Sequence, residues 1–268
     1  MSGEEKMFVV GREREERQII KALGRGENVI LTGKYGIGRT CLLRKVAEAT
    51  RDRWRFVFVD FSQRPGKVCE LLFRELLPPT AGRKQKTGAG YKPTRFRIGN
   101  LPLADPRPHV LVLDNIAKLT PQKLDLLRYL VMADRFRFAL VVENFLNGDE
   151  LFLLRARLGK AAVICLPHLS QEAAKQYFRY FLERYRFAWT EGEINSLAEM
   201  SGGYPLGMWE IVKRNLVRSR SLEENAPGGG RNGAGPGKFR RGPEELGLRS
   251  QRGEASGPDS GPREKDAR

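Results

Sequence analysis

The residues best suited to chemistry lie early in the chain, in Gly33-Lys34-Tyr35-Gly36-Ile37-Gly38-Arg39-Thr40. Their types and spacing fit the phosphate-cradling pattern G-x-x-x-x-G-K-[ST] at every required position but one, because Arg39 stands where the lysine belongs. Glycines at these places let backbone N–H groups converge on one concavity, and a helix beginning at Thr40 would add its partial positive charge there. The Thr40 hydroxyl could then hold Mg²⁺. Arg39 keeps the positive charge and can offer two donors to one phosphate, but its rigid fork is larger than an ammonium. The bland alternative is a glycine-rich turn with no ligand, so the elements around the loop have to carry the argument.

Asn28-Val29-Ile30-Leu31-Thr32, just before the loop, reads as a buried strand, and 40–49 after it reads as an amphipathic helix. An opening helix over 13–23 places Ile19, Ile20 and Leu23 at helical spacing and ends at Gly24 and Gly26. Further strand-like runs occur at 55–60, 109–113, 138–142 and 162–166, with helical patterns at 66–77, 121–132 and 149–157 between them. Strands that are apolar throughout and alternate with helices imply a parallel sheet covered on both faces, an α/β fold. After Leu166 the pattern is helical only, over 171–186, 191–200 and 205–218. Ser170 and Thr190 are N-caps, Thr190 with Glu193 makes a capping box, and Gly202-Gly203 stops a helix. The expected organisation is an α/β domain over 1–168, a helical subdomain over 169–218, and a Gly/Pro/Arg-rich tail over 219–268. Such a tail buries too little apolar surface to offset its ordering entropy and is expected to be disordered.

The aspartate in Val110-Leu111-Val112-Leu113-Asp114 closes an apolar strand, where a carboxylate could hold the water shell of Mg²⁺. Asn115 follows it, and an amide cannot accept a proton from an attacking water. Glu143, at the end of the fourth strand, could lie near a terminal phosphate and act as a substitute base; Asn144 is equally placed, and a plain turn carboxylate is the alternative. Arg135, Arg137, Arg155 and Arg157 lie near that strand or the helix after it and read by default as solvated charges.

Composition narrows the classes. The 268 residues carry 48 Lys plus Arg against 32 Asp plus Glu, a net charge of +16 that favours an acidic partner. Apolar runs are strand-sized, and Met1-Ser2-Gly3-Glu4-Glu5-Lys6 lacks the layout of a signal peptide, so a cytoplasmic protein is expected. Cys41, Cys69 and Cys165 are scattered and read as small core residues in a reducing compartment. His109 and His168 form no ligand-spaced cluster, which argues against histidine-based metal or triad chemistry. Between the second and third strands, 76–106 reads as a basic insertion loop carrying Arg83, Lys84, Lys86, Lys92, Arg95 and Arg97, with Tyr91 and Phe96 among them. It is either a solvated loop or a contact for DNA, RNA or another acidic partner.

Over residues 8–218 the chain resembles the P-loop ATPases of the AAA+ and STAND groups, including origin-recognition-like and NB-ARC types. Phe8-Val9-Val10-Gly11-Arg12-Glu13 looks like the box that precedes the first strand in those families, 33–40 like Walker A, 110–114 like Walker B, and Gly203-Tyr204-Pro205-Leu206 like the G-x-P-L motif of their helical lid. The resemblance implies a sheet of order 5-1-4-3-2 with nucleotide at the carboxyl ends of its strands. It implies ATP or ADP with Mg²⁺, bound by Val10, Gly11, Arg12 and Pro205 around the base and by Gly33, Lys34, Tyr35, Gly36, Ile37, Gly38, Arg39, Thr40 and Cys41 around the phosphates. Thr40 and Asp114 would hold the metal, and Asp114, Asn115 and Glu143 would surround the reacting phosphate. Lys34 either faces solvent or acts like the extra lysine of MinD/ParA-like ATPases, which reaches a phosphate across a dimer. Pro205-Leu206-Gly207-Met208 leaves no sensor-two arginine at the start of the last helix. With Arg39 and Asn115 in key places, the expectation is a nucleotide-dependent switch with slow or partner-dependent hydrolysis, acting on another protein, a nucleic acid or another copy of itself. The alternatives are a nucleic-acid-binding accessory factor on an ATPase fold and a scaffold with an empty site.

Overall fold

The computed structural model describes residues 8–77, 90–103, 105–143 and 146–224, with side chains through residue 218. Among these, β1 (Asn28–Thr32), β2 (Arg55–Asp60), β3 (His109–Ile116), β4 (Phe136–Val142) and β5 (Ala161–Cys165) form one sheet of order β2-β3-β4-β1-β5. Every pairing is parallel, and the order is the expected 5-1-4-3-2 read from the other edge. Because side chains alternate along a strand, each central strand feeds both faces. Val29, Leu31, Val110, Val112, Ala139 and Val141 pack with α1 (Glu13–Gly24) and α2 (Arg39–Ala49). Ile30, Leu111, Leu113, Phe138 and Leu140 pack on the other face with α3 (Pro65–Leu76), α4 (Tyr91–Asn100), α5 (Pro121–Met132) and α6 (Gly148–Leu158). Burial on both faces explains why these strands are apolar throughout.

The segment expected as an exposed loop differs in its second half. Arg83, Lys84 and Lys86 lie outside the described residues, but 91–100 is the helix α4, with Thr94 and Ile98 buried. Arg95 pairs with Asp125 and lies over the rings of Tyr91 and Tyr129, at 5.3 and 4.6 Å. The Arg97 guanidinium lies 4.3 Å over Phe73. Periodicity missed this helix because its apolar positions are few and its arginines supply packing surface through their stems and flat guanidiniums.

After β5 the chain forms α7 (Gln171–Tyr185), α8 (Glu191–Ser201) and α9 (Pro205–Glu224), packed around Phe178, Ile194, Ala198, Met208 and Val212. The expected caps are present. The Ser170 hydroxyl accepts from the Ala173 N–H, the Thr190–Glu193 capping box is complete, and Gly202 takes the left-handed conformation after α8. Helix α9 runs on to Glu224, past the expected boundary at 218 and into the expected tail; 225–268 lie outside the described residues. Among the described helices none is long and apolar enough to cross a membrane. Of the cysteines, Cys69 is a core residue whose thiol burial pushes up to about 12. Cys41 is half-buried, and Cys165, on the sheet-edge strand β5, is exposed rather than in the core.

His109 opens β3, is buried, and has no hydrogen-bond partner at Nε2. Burial first, and then the charge of Arg55, holds its imidazole below the ordinary value of 6.5. The unfolded chain therefore takes the proton first, so this contribution to stability is intact above about pH 6.5 and is lost as pH falls below it. Urea unfolding at about pH 7.5 and about pH 5.5 should show a loss that His109→Phe reduces. An equal loss in both proteins would refute the assignment.

Candidate functional site

The strand β1 delivers the chain to Gly33, and the turn through Gly38 carries it into α2. Gly36 and Gly38 have φ of 73° and 94°, a region open to glycine at little cost. The fully buried Ile37 anchors the loop from below, and its N–H donates to the Lys34 carbonyl at 3.2 Å. The first i→i−4 bond at this end of α2 runs from the Leu42 N–H to the Gly38 carbonyl, at 3.0 Å. The N–H groups of Arg39, Thr40 and Cys41 therefore have no intrahelical acceptor, and the first turn holds no acidic side chain. Such an end attracts an anion. Lys34 and Tyr35 are exposed at the outer side of the loop.

Arg39 points inward. It is 6% exposed; Nη1 donates to the Gly33 carbonyl at 2.9 Å and also to the Val142 carbonyl, at the end of β4. Its Nη2 lies 3.8 Å from Glu143 Oε1. Burial lowers its pKa, and Glu143 first and then Asp114 oppose that shift, so the guanidinium remains a cation tied to the protein's own acceptors. Asn144 lies outside the described residues.

The Thr40 hydroxyl donates to both oxygens of Asp114, at 3.1 and 3.0 Å. Burial raises the Asp114 carboxyl above the usual range, against the pull of Thr40, the Asn115 N–H and Arg39. A hydroxyl and a carboxylate touching beside a helix N-terminus form a hard oxygen pair suited to Mg²⁺. Among the described residues no group of three or more His, Cys, Asp and Glu could hold a metal unaided, so an ion here would complete its shell with phosphate and water oxygens.

Asn115 turns away from this pair. It has φ of 59° at a register shift in β3, where pairing with β4 skips from Leu113 to Ile116. Its amide Nδ2 donates to Asp60 Oδ1 at 3.3 Å, and Asp60 also accepts from the Ser62 N–H and from Gln63. Those bonds hold the Asp60 carboxyl below the usual range despite its partial burial. Asp60 is the residue that the sequence reading missed, although its signal was present: like Asp114 it ends an apolar strand, and the two pair directly in the sheet.

The N-terminal segment and the helical subdomain close over the loop. Val9 packs with the sheet core and Val10 with the helical core. A Cβ at Gly11 would fall 2.4 Å from Ala173 Cβ, and the buried Arg12 donates to the Ile37 carbonyl at 3.3 Å. From the helical side the Tyr204 hydroxyl donates to the Tyr35 carbonyl, while a Cβ at Gly36 would meet Leu206 Cβ at 2.6 Å. Pro205 opens α9 beside these residues and is half-buried. The structure thus brings Gly11, Arg12, the 33–40 loop and the 204–206 turn together at one end of the sheet, with Asp114 and Glu143. Arg135 is not there; it holds the carbonyls of Gly99 and Leu101 at 2.9 and 2.6 Å. Arg137 lines a cavity of about 430 Å³ with Arg53 and Trp54, near the other ends of the strands.

Known structures share this fold. RuvB, a Holliday junction branch migration motor of Thermotoga maritima, matches with 17% identity and a TM-score of 0.53 over 80% of this chain and 64% of its own. The ORC1 protein of Aeropyrum pernix, solved in complex with DNA, matches with 15% identity and a TM-score of 0.55 over 82% and 62%. Cdc6p of Pyrobaculum aerophilum matches with 20% identity and a TM-score of 0.54 over 84% and 65%. The chain spans less than two thirds of each of these proteins. Among curated proteins no significant sequence match is found. The AAA ATPase domain family matches residues 9–142, which include the strands from β1 to β4 and the glycine loop. The chain belongs to the AAA ATPase domain family and has its P-loop NTPase fold.

Proposed function

We propose that the protein binds ATP or ADP with Mg²⁺ between the 10–12 segment, the 33–40 loop and the 204–206 turn, and works as a nucleotide-dependent switch of AAA+/STAND type. The observation that carries this reading is the contact of the Thr40 hydroxyl with both Asp114 oxygens beside the open N–H groups of α2. Backbone N–H groups would hold the phosphates, and Thr40 and Asp114 the metal. The metal, when bound, supplies charge neutralisation at the transferred phosphate. Hydrolysis is expected to be slow or partner-dependent, because Asn115 offers no base and faces Asp60, and because Arg39 is occupied. Removal of one charge-stabilising group from such a site lowers the rate by about 10²-fold or more. For the nucleic-acid alternative, Arg95 and Arg97 serve packing and Lys92 is exposed, while Arg83, Lys84 and Lys86 lie outside the described residues.

Thermal unfolding with Mg-ADP, Mg-ATP and no nucleotide, repeated on Thr40→Ala, tests the site. The melting temperature should rise with ligand concentration, with about 2.7 kcal/mol gained at a hundred times Kd, and Thr40→Ala should lose most of the Mg²⁺-dependent part. A flat response at millimolar nucleotide would overturn the reading.

A further inference from the structure

We propose that the Arg39–Glu143 pair makes this site select a nucleoside diphosphate over the triphosphate. The inference rests on nucleotide occupying the 33–40 loop, as proposed above, and adds which nucleotide the loop prefers.

A lysine in the Arg39 position would be a point charge on a flexible stem, free to follow the terminal phosphates. Arg39 lacks that freedom. Its Nη1 is bound by carbonyls from the ends of two strands, Gly33 after β1 and Val142 of β4, and its side chain is 6% exposed. Moving the guanidinium onto a phosphate would strip both carbonyls of a buried donor. Its charge is also matched already by Glu143, which is 13% exposed and 3.8 Å away.

The sheet order places this pair where it matters. β4 lies between β1, which delivers the loop, and β3, which delivers Asp114. A phosphate chain that starts on the N–H groups of α2 and reaches a metal on Thr40 and Asp114 must pass the end of β4, where Glu143 stands. The phosphates nearest the loop meet backbone donors, and these serve a diphosphate and a triphosphate alike. A third phosphate brings further negative charge toward the Glu143 carboxylate, while the Arg39 guanidinium is committed to that same carboxylate and to the two carbonyls. Like charges set close together in a partly buried site repel far more than they do in water.

Calorimetric titration of the full chain with Mg-ADP, Mg-ATP and a non-hydrolysable triphosphate analogue tests the proposal. The wild type should bind Mg-ADP at least about tenfold more tightly than either triphosphate, about 1.4 kcal/mol. Glu143→Gln should bring the ratio to within about threefold by tightening the triphosphates, with Mg-ADP little changed, and Glu143→Asp should keep the wild-type preference. Equal or tighter triphosphate binding by the wild type would overturn the selectivity alone, as would an unchanged ratio in a folded Glu143→Gln. Absence of binding by either nucleotide would overturn the proposed function and this inference with it.

Discussion

Replacing Arg39 by alanine should destabilise the protein by about 3–5 kcal/mol, in the range measured when one partner of a buried ion pair is removed. The loss has two sources. Glu143 keeps a carboxylate that is only 13% exposed without its cation, and the Gly33 and Val142 carbonyls lose their shared donor. Those carbonyls sit at the ends of neighbouring strands, so the guanidinium also clamps the loop to the sheet. Arg39→Lys should recover part of the loss, because an ammonium can still reach one carbonyl but cannot span the pair as a planar fork does. Urea unfolding measures this directly; a loss below about 1 kcal/mol would mean that the three acceptors find other partners.

Gly203→Ala should also be severe, and its neighbour provides the control. A Cβ on Gly203, at φ of 67°, would fall 2.0 Å from the Leu169 carbonyl oxygen and 2.9 Å from its carbon. The Leu169 backbone cannot give way easily, because its N–H donates to the Gly203 carbonyl at 2.8 Å. The variant is expected to lose about 3 kcal/mol or more and to release the Tyr204–Tyr35 contact, since the turn that carries Tyr204 would shift. Gly202→Ala, at φ of 53° but with open space where its Cβ would point, should lose only about 1 kcal/mol. Thermal unfolding together with hydrogen exchange at the Tyr35 and Gly36 amides separates the two. Equal effects at both glycines would show that backbone conformation, rather than the collision, sets the loss.

The parts of this fold that the sequence revealed are those where local pattern and tertiary role agree. Strands buried on both faces had to be apolar throughout, and β1, β3 and β4 could be read for that reason. The caps at Ser170 and Thr190 are local hydrogen bonds, so their residue types named them in advance. What was hidden depends on long-range partners. Helix α4 is held by cation–π contacts and by carbonyls given to Arg135, none of which leaves an apolar period. The spacing of the glycine loop placed Arg39 correctly, yet its inward direction depends on Val142 and Glu143, more than 100 residues away. Asn115 could be recognised as lacking a base's chemistry, whereas its turn toward Asp60 follows from a shift in register that no residue type announces.

The position of β1 has a consequence for how the protein is made. β1 and the loop after it are synthesised early, but β1 lies between β4 and β5, so Val29 must wait for Ala139 and Ala162 before it has either neighbour. Phe8 waits longer still for Tyr180, on which its ring stacks with centroids 3.7 Å apart. Contacts this distant along the chain are closed late and slow folding. A ribosome that has delivered the complete glycine loop has therefore delivered an unpaired apolar strand with it, and that strand needs protection until β5 emerges.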